Sequence, residues 1–337
     1  MKRDEYYDII KGFAIWLVVL GHCWQTFCPD WENTILAKII IMFHMPLFIA
    51  VSGYFFLPSV SKYSLKDNIK RKFLRLYLPS FSWGLVSVLI FLSYKLISHK
   101  ELEMLYFINL LFTGMWFLAA LFLISIIGIF IQNYYSKYKY WAWSIVYIVI
   151  NFLPSYATFN QLKYLIPYFV LAMYFSKCDW KQCPLWLFGI SLYIFILLLN
   201  IYTFDYSLYK MGGQNVLSFE YYWKSLIRFL SGMAGIICSL YICKWIYQLK
   251  KMNYWLIYIG TLTLPIYVLH QYFLFIQKIS TYQNSSIIFN LLLSIIIILL
   301  SIFSYKILSN RYIRIFFLEK INSFSNADKK IYFNFLI

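Results

Sequence analysis

Three of the chain's four histidines, His22, His44 and His270, and one lysine, Lys11, fall inside stretches that are otherwise almost wholly apolar. An ionisable group in such a stretch is costly, so it marks a place where protons or charges are handled. A neutral imidazole takes up a proton near neutral pH, which suits a general base or a proton relay. Lys11 and His22 are 11 residues apart. At ~100° per residue they differ by only ~20° beyond three turns, so they share a helix face, ~16 Å apart along the axis. Asp8 precedes Lys11 by one turn and can pair with it. A face with a cation at one end and an imidazole deep in the other cannot look at lipid. It should line a path through the protein. A second group is the cluster Lys70, Arg71, Lys72 and Arg75, just ahead of Pro79. Such cations either anchor the chain to anionic lipid or cradle a polyphosphate, whose geometry suits Arg forks. Arg228 lies within another apolar run and needs an acceptor or a substrate anion, with Glu220 as a candidate partner.

The elements that must position these groups follow from composition. Of 337 residues, 62% are hydrophobic, 23% aromatic and only 13% charged. Mean hydropathy is +0.67. So few charges cannot cover a soluble globule, and so apolar a chain is not disordered. No alternating strand pattern suggests a membrane barrel. The reading is an all-α, polytopic integral membrane protein with about ten transmembrane helices. The apolar runs lie near 9–27, 36–57, 77–97, 115–131, 141–156, 162–175, 185–203, 225–247, 255–275 and 286–308. Pro154 and Pro167 interrupt the fifth and sixth, which could be short or broken. The stretch Met104–Phe112 is a candidate interfacial piece. Phe204–Lys224 is the longest outer loop, and His99 sits in a short one.

Lys and Arg fall 22 to 7 on alternate connections. The positive-inside rule then puts both termini in the cytoplasm. The formal charge of +17 is mostly a topology signal and implies no nucleic-acid partner. On this topology His22, His44 and His270 all lie ~8–12 Å below the outer boundary. Three imidazoles at one depth suggest a polar cavity opening outward. The first span, with mixed charge ahead of it and no small-residue cleavage site, does not read as a signal peptide. No spacing of the 6 cysteines suits zinc, and no metal site is expected.

The motifs also resemble a known family. The stretch from Asp8 to His22, with Lys11, ten intervening residues and then His22, is similar to the opening of the membrane acyltransferase-3 family. Phe43-His44-Met45-Pro46-Leu47-Phe48 followed by Ser52-Gly53-Tyr54 resembles its second signature. Lys72-Phe73-Leu74-Arg75 running to Pro79 resembles its basic segment before the third span. Met115-Trp116-Phe117-Leu118 and Leu264–His270 resemble later features. These pieces occur in order from residue 8 to residue 270.

The resemblance implies a multi-pass protein of a bacterial cytoplasmic (inner) membrane, set in membrane lipid. It implies transfer of an acetyl group from cytoplasmic acetyl-CoA to a hydroxyl of a cell-envelope glycan or its lipid-linked precursor, as in fucose-type sugar O-acetylases. Residues 1–320 would form one transmembrane acyltransferase domain and 321–337 a short cytoplasmic tail. His22 would be the base, with His44 orienting it or acting as a second acid or base. Lys11, Arg71, Lys72 and Arg75 would hold the phosphates of the donor, with Asp8 beside Lys11. His270 would bind the acceptor. Trp116 could stack on a sugar, or be an interfacial anchor. The competing reading from the same buried groups is a proton-coupled transporter of a glycan or small metabolite. The acceptor sugar and the oligomeric state are not legible.

Overall fold

The computed structural model describes residues 4–97, 115–153, 158–203, 205, 218–249, 253–275 and 282–308. Among them every regular element is helical. In chain order these are α1 (Glu5–Phe27), α2 (Ile35–Val60), α3 (Leu65–Lys72), α4 (Leu78–Ile97), α5 (Trp116–Tyr134), α6 (Lys139–Phe152), α7 (Thr158–Tyr174), α8 (Leu185–Ile201), α9 (Phe219–Gln248), α10 (Asn253–Thr261), α11 (Thr263–Phe275) and α12 (Ile287–Leu308). Each of the ten apolar runs coincides with a helix or a helix pair. Six helices are long and apolar enough to cross a membrane, or seven if the bent pair α10–α11 is one span. Helices α6, α7 and α8, at 14, 17 and 17 residues, fall short of that length. Pro167 does not break α7, which continues through it. Pro154, His99, the piece Met104–Phe112, most of Phe204–Lys224 and the tail 321–337 lie outside the described residues.

Helix α1 is the axis of the molecule. It packs against α2, α9, α10, α11 and α12, so most of its side chains are buried. Asp4 caps its start, accepting from the Tyr6 N–H at 3.1 Å. The same carboxylate takes the Lys181 ammonium at 2.6 Å, tying the α7–α8 connection to the N-terminus. Partial burial would lower the pKa of that ammonium, but the bond and charge of Asp4 outweigh burial and raise it. Where α1 crosses α10 the backbones touch. A Cβ on Gly12 would overlap the Leu256 carbonyl, and one on Gly260 would overlap the carbonyl of Asp8. Small residues let membrane helices approach this closely. Gly260→Ala must therefore push α10 away from α1, at a cost of ~1–3 kcal/mol from overpacking. Gly189 has nothing within 4 Å of its would-be Cβ, and Gly189→Ala should be neutral or gain up to ~1 kcal/mol from helix propensity. Thermal melts of the two purified variants should move in these opposite senses.

Two local irregularities interrupt the regular helices. Between α3 and α4, Phe73–Tyr77 forms a π turn, with the Leu78 N–H bonded to the Phe73 carbonyl. Pro79 lacks the N–H that Arg75's carbonyl would take in an α-helix, which removes the competing register. Between α10 and α11 the chain bends by 86° at Leu262. Pro265 likewise cannot serve the Thr261 carbonyl. The threonines on either side send hydroxyls back at 2.7 Å, Thr261 to the Tyr258 carbonyl and Thr263 to that of Gly260. The apolar pattern predicts one straight span for the ninth run. The structure bends it three residues ahead of Pro265, whereas α7 runs on through Pro167 and α2 through Pro46.

Candidate functional site

Two cavities lie along the inner faces of these helices. The first is basic, with about 1000 Å³ of open space, its mouth included. Arg71, Lys72 and Arg75 line it with Asn68 and Leu76. These positions follow an i, i+3, i+4, i+7, i+8 pattern, one stripe of a helix. Lys62, Ser59 and Tyr63 face the stripe from the end of α2 and the turn after it. The Arg71 guanidinium lies 3.7 Å from the centroid of the Tyr63 ring. The far wall is apolar: Phe48, Phe117, Leu118 and Leu121, with Thr263, Leu264 and Tyr267 from the start of α11.

The second cavity, about 780 Å³ with its mouth, holds His22 and His44. Val18, Gly21 and Gln25 come from the same face of α1 as His22; Ile40, Ile41 and Met45 come with His44 from α2. Aromatic side chains surround them: Trp31, Trp116, Tyr164, Tyr202 and Tyr267. Gln25 lies one turn beyond His22 on the same face of α1 and lines the cavity with it. His44 Nδ1 lies 2.6 Å from the Ile40 carbonyl oxygen. That oxygen only accepts, so Nδ1 carries the proton, and the neutral ring holds a lone pair at Nε2. His270 sits behind His22, with ring centroids 5.2 Å apart. It is wholly buried, and its Nδ1 donates to the Ile266 carbonyl at 3.0 Å.

The sites expected from sequence therefore sort into groups. His22, His44 and Trp116 share one cavity. Arg71, Lys72 and Arg75 share the other. His270 does meet His22, as equal depth suggested, but it backs the site and does not line it. Lys11 and Asp8 form an ion pair at 2.7 Å, both side chains almost fully enclosed. They belong to neither cavity lining and sit at the α1–α10 crossing. Glu220 does not serve Arg228; it pairs with Lys224, one turn on, at 2.6 Å. Gln25, Trp31, Tyr63, Tyr164 and Tyr202 were not singled out from sequence. Among 32 tyrosines and 12 tryptophans these had no distinguishing neighbours. Only Gln25, a polar residue one turn from His22 on its face, carried a readable signal.

One residue belongs to both linings, Tyr267. Its ring packs on Phe117 at 5.9 Å, and Phe117 packs on Phe48 at 5.8 Å. An aromatic partition thus separates the cavities. Helix α11 runs past it like a ruler: Thr263 at the basic cavity, Tyr267 at the partition, His270 against His22. Seven residues of helix span ~10 Å.

A nodulation protein NolL from Mesorhizobium japonicum (strain LMG 29417 / CECT 9101 / MAFF 303099) is 29% identical over 214 residues, 60% of this chain and 55% of that protein. Nodulation protein NolL from Sinorhizobium fredii (strain NBRC 101917 / NGR234) is 30% identical over 204 residues, covering 58% and 54%. The chain thus spans about half the length of the curated relatives it matches. No solved structure matches. The acyltransferase domain of the acyltransferase-3 family matches residues 4–306, which include both cavities and the partition between them, and the chain belongs to that family.

Proposed function

We propose that the protein is a membrane O-acyltransferase that moves an acetyl group from acetyl-CoA to a hydroxyl of a cell-envelope sugar or its lipid-linked precursor. The observation that carries this reading is the partition: a cationic cavity and an imidazole cavity meet at one residue, Tyr267. A donor with a polyanionic head and a long thin arm fits that division. Arg71, Lys72 and Arg75, with Lys62, hold the phosphates. The arm lies along Phe48, Phe117 and Thr263. The thioester passes Tyr267 toward His22. Lys11, paired with Asp8 on its own helix at 2.7 Å, lies outside both cavity linings, and a part for it in holding the donor belongs to the same proposal.

The chemistry needs one base and a fixed acceptor. His22 takes the proton of the acceptor hydroxyl as its oxygen attacks the thioester carbonyl. The carbon–sulfur bond breaks, CoA leaves as thiolate, and the proton passes back to it. His44, its tautomer set by Ile40, presents the Nε2 lone pair to a second acceptor hydroxyl. Trp116 and Trp31 offer ring faces to the sugar. We place the basic cavity and both termini on the cytoplasmic side of a bacterial inner membrane, with ten spans in all. This placement rests on the distribution of Lys and Arg.

Purified protein in liposomes, given acetyl-labelled acetyl-CoA and envelope glycan precursors, should yield labelled glycan with no ion gradient. Gradient-dependent uptake of the glycan without label would instead identify a carrier.

A further inference from the structure

Among the described residues, Arg228 is the one strongly cationic group near the histidine cavity that the proposed reaction does not use. It is 5% exposed. Its guanidinium lies 4.5 Å from the centroid of the Tyr164 ring, and Tyr164 lines the histidine cavity. Nη1 is buried and has no hydrogen-bond partner among the described residues. The nearby Tyr168 hydroxyl donates to the Arg228 backbone carbonyl at 3.0 Å. Glu220, two turns back on the same helix, is held by Lys224. A guanidinium is always charged and carries five donors, so a buried one without a carboxylate is costly. Stacking on a tyrosine offsets part of that cost but satisfies no N–H.

We propose that Arg228 recognises an anion on the acyl acceptor, a phosphate or carboxylate borne by the sugar or its lipid carrier. This deepens the acyltransferase reading and rests on it. The ring of Tyr164 is the partition between guanidinium and cavity. On this proposal the ring must turn aside for Nη1 to reach the space that His22 and His44 share. The anion then supplies the missing counter-charge, and its position sets which hydroxyl meets His22.

The test uses the full chain in lipid nanodiscs with saturating CoA, which keeps small anions out of the basic cavity. Glucose 1-phosphate, glucuronate and methyl glucoside, each isotope-labelled, are titrated and their binding read by equilibrium dialysis. In the unaltered protein at least one of the two anionic sugars should bind at least tenfold tighter than the neutral one. The tighter of the two tells phosphate from carboxylate. Arg228→Gln should abolish the preference and leave CoA affinity unchanged, while Arg228→Lys should retain part of it. Equal binding of charged and neutral sugars by the unaltered protein, no binding of either anion, or a preference that survives in R228Q overturns the proposal. The first two outcomes need no variant to fold. Failure of the acyltransferase reading shows separately, as absence of acetyl transfer by the unaltered protein.

Discussion

Replacing His22 by alanine lowers acetyl transfer by about 10²–10⁴-fold, the range a positioned general base contributes. The loss should appear in kcat, with the KM for acetyl-CoA little changed, because His22 lines the cavity on the far side of Tyr267 from the basic residues. The amount of protein in the membrane should not fall. His22 faces open space on one side and meets the His270 ring of α11 on the other, at 5.2 Å. Gln25→Leu should give a smaller loss with the same signature, since it changes the lining beside the ring without removing the ring. Transfer at the unaltered rate by the His22→Ala protein would exclude His22 as the base.

The second large effect concerns the donor. Arg71 and Arg75 enter the basic cavity from one stripe of the helix that carries the π turn. Removing both should raise the KM for acetyl-CoA by about tenfold to over a hundredfold, since a hydrogen bond to a charged group contributes ~1.5–3 kcal/mol. The rate at saturation should hold. Acetyl-pantetheine, which lacks the nucleotide and its phosphates, supplies the control. With that donor the double variant and the unaltered protein should behave alike. A double variant equally impaired on both donors would mean that the arginines hold the fold and not the phosphates.

These residues differ in how far the sequence exposes them. The Lys11–His22 face was readable because it depends on one helix and its period. It correctly told that α1 turns inward. The Asp8–Lys11 pair was readable from their spacing, but not that α10 would cross α1 beside it, because Gly260 lies about 250 residues away. His270 was readable as a depth, from span lengths alone. Its place behind His22, and not in the lining, depends on how α11 leaves the bend at Leu262. The stripe of Arg71, Lys72 and Arg75 was visible as charge, but that it lines a cavity opposite an apolar wall depends on where α2, α5 and α11 pack. The tyrosines Tyr164, Tyr202 and Tyr267 were hidden by abundance. A residue type present 32 times marks nothing until the fold chooses among its copies.

The ring of Tyr267 also has an electrical meaning. Two cavities that reach toward each other from opposite ends of a membrane protein thin the insulator between two solutions. The voltage then drops across the little that remains. Each elementary charge that leaked through would dissipate ~2.3 kcal/mol per 100 mV. Phe48, Phe117 and Tyr267 close that gap with apolar rings. An acetyl group is uncharged, so its passage does no work against the field. On the proposed reaction the phosphates would stay with Arg71, Lys72 and Arg75 while only the uncharged acetyl group passed the rings.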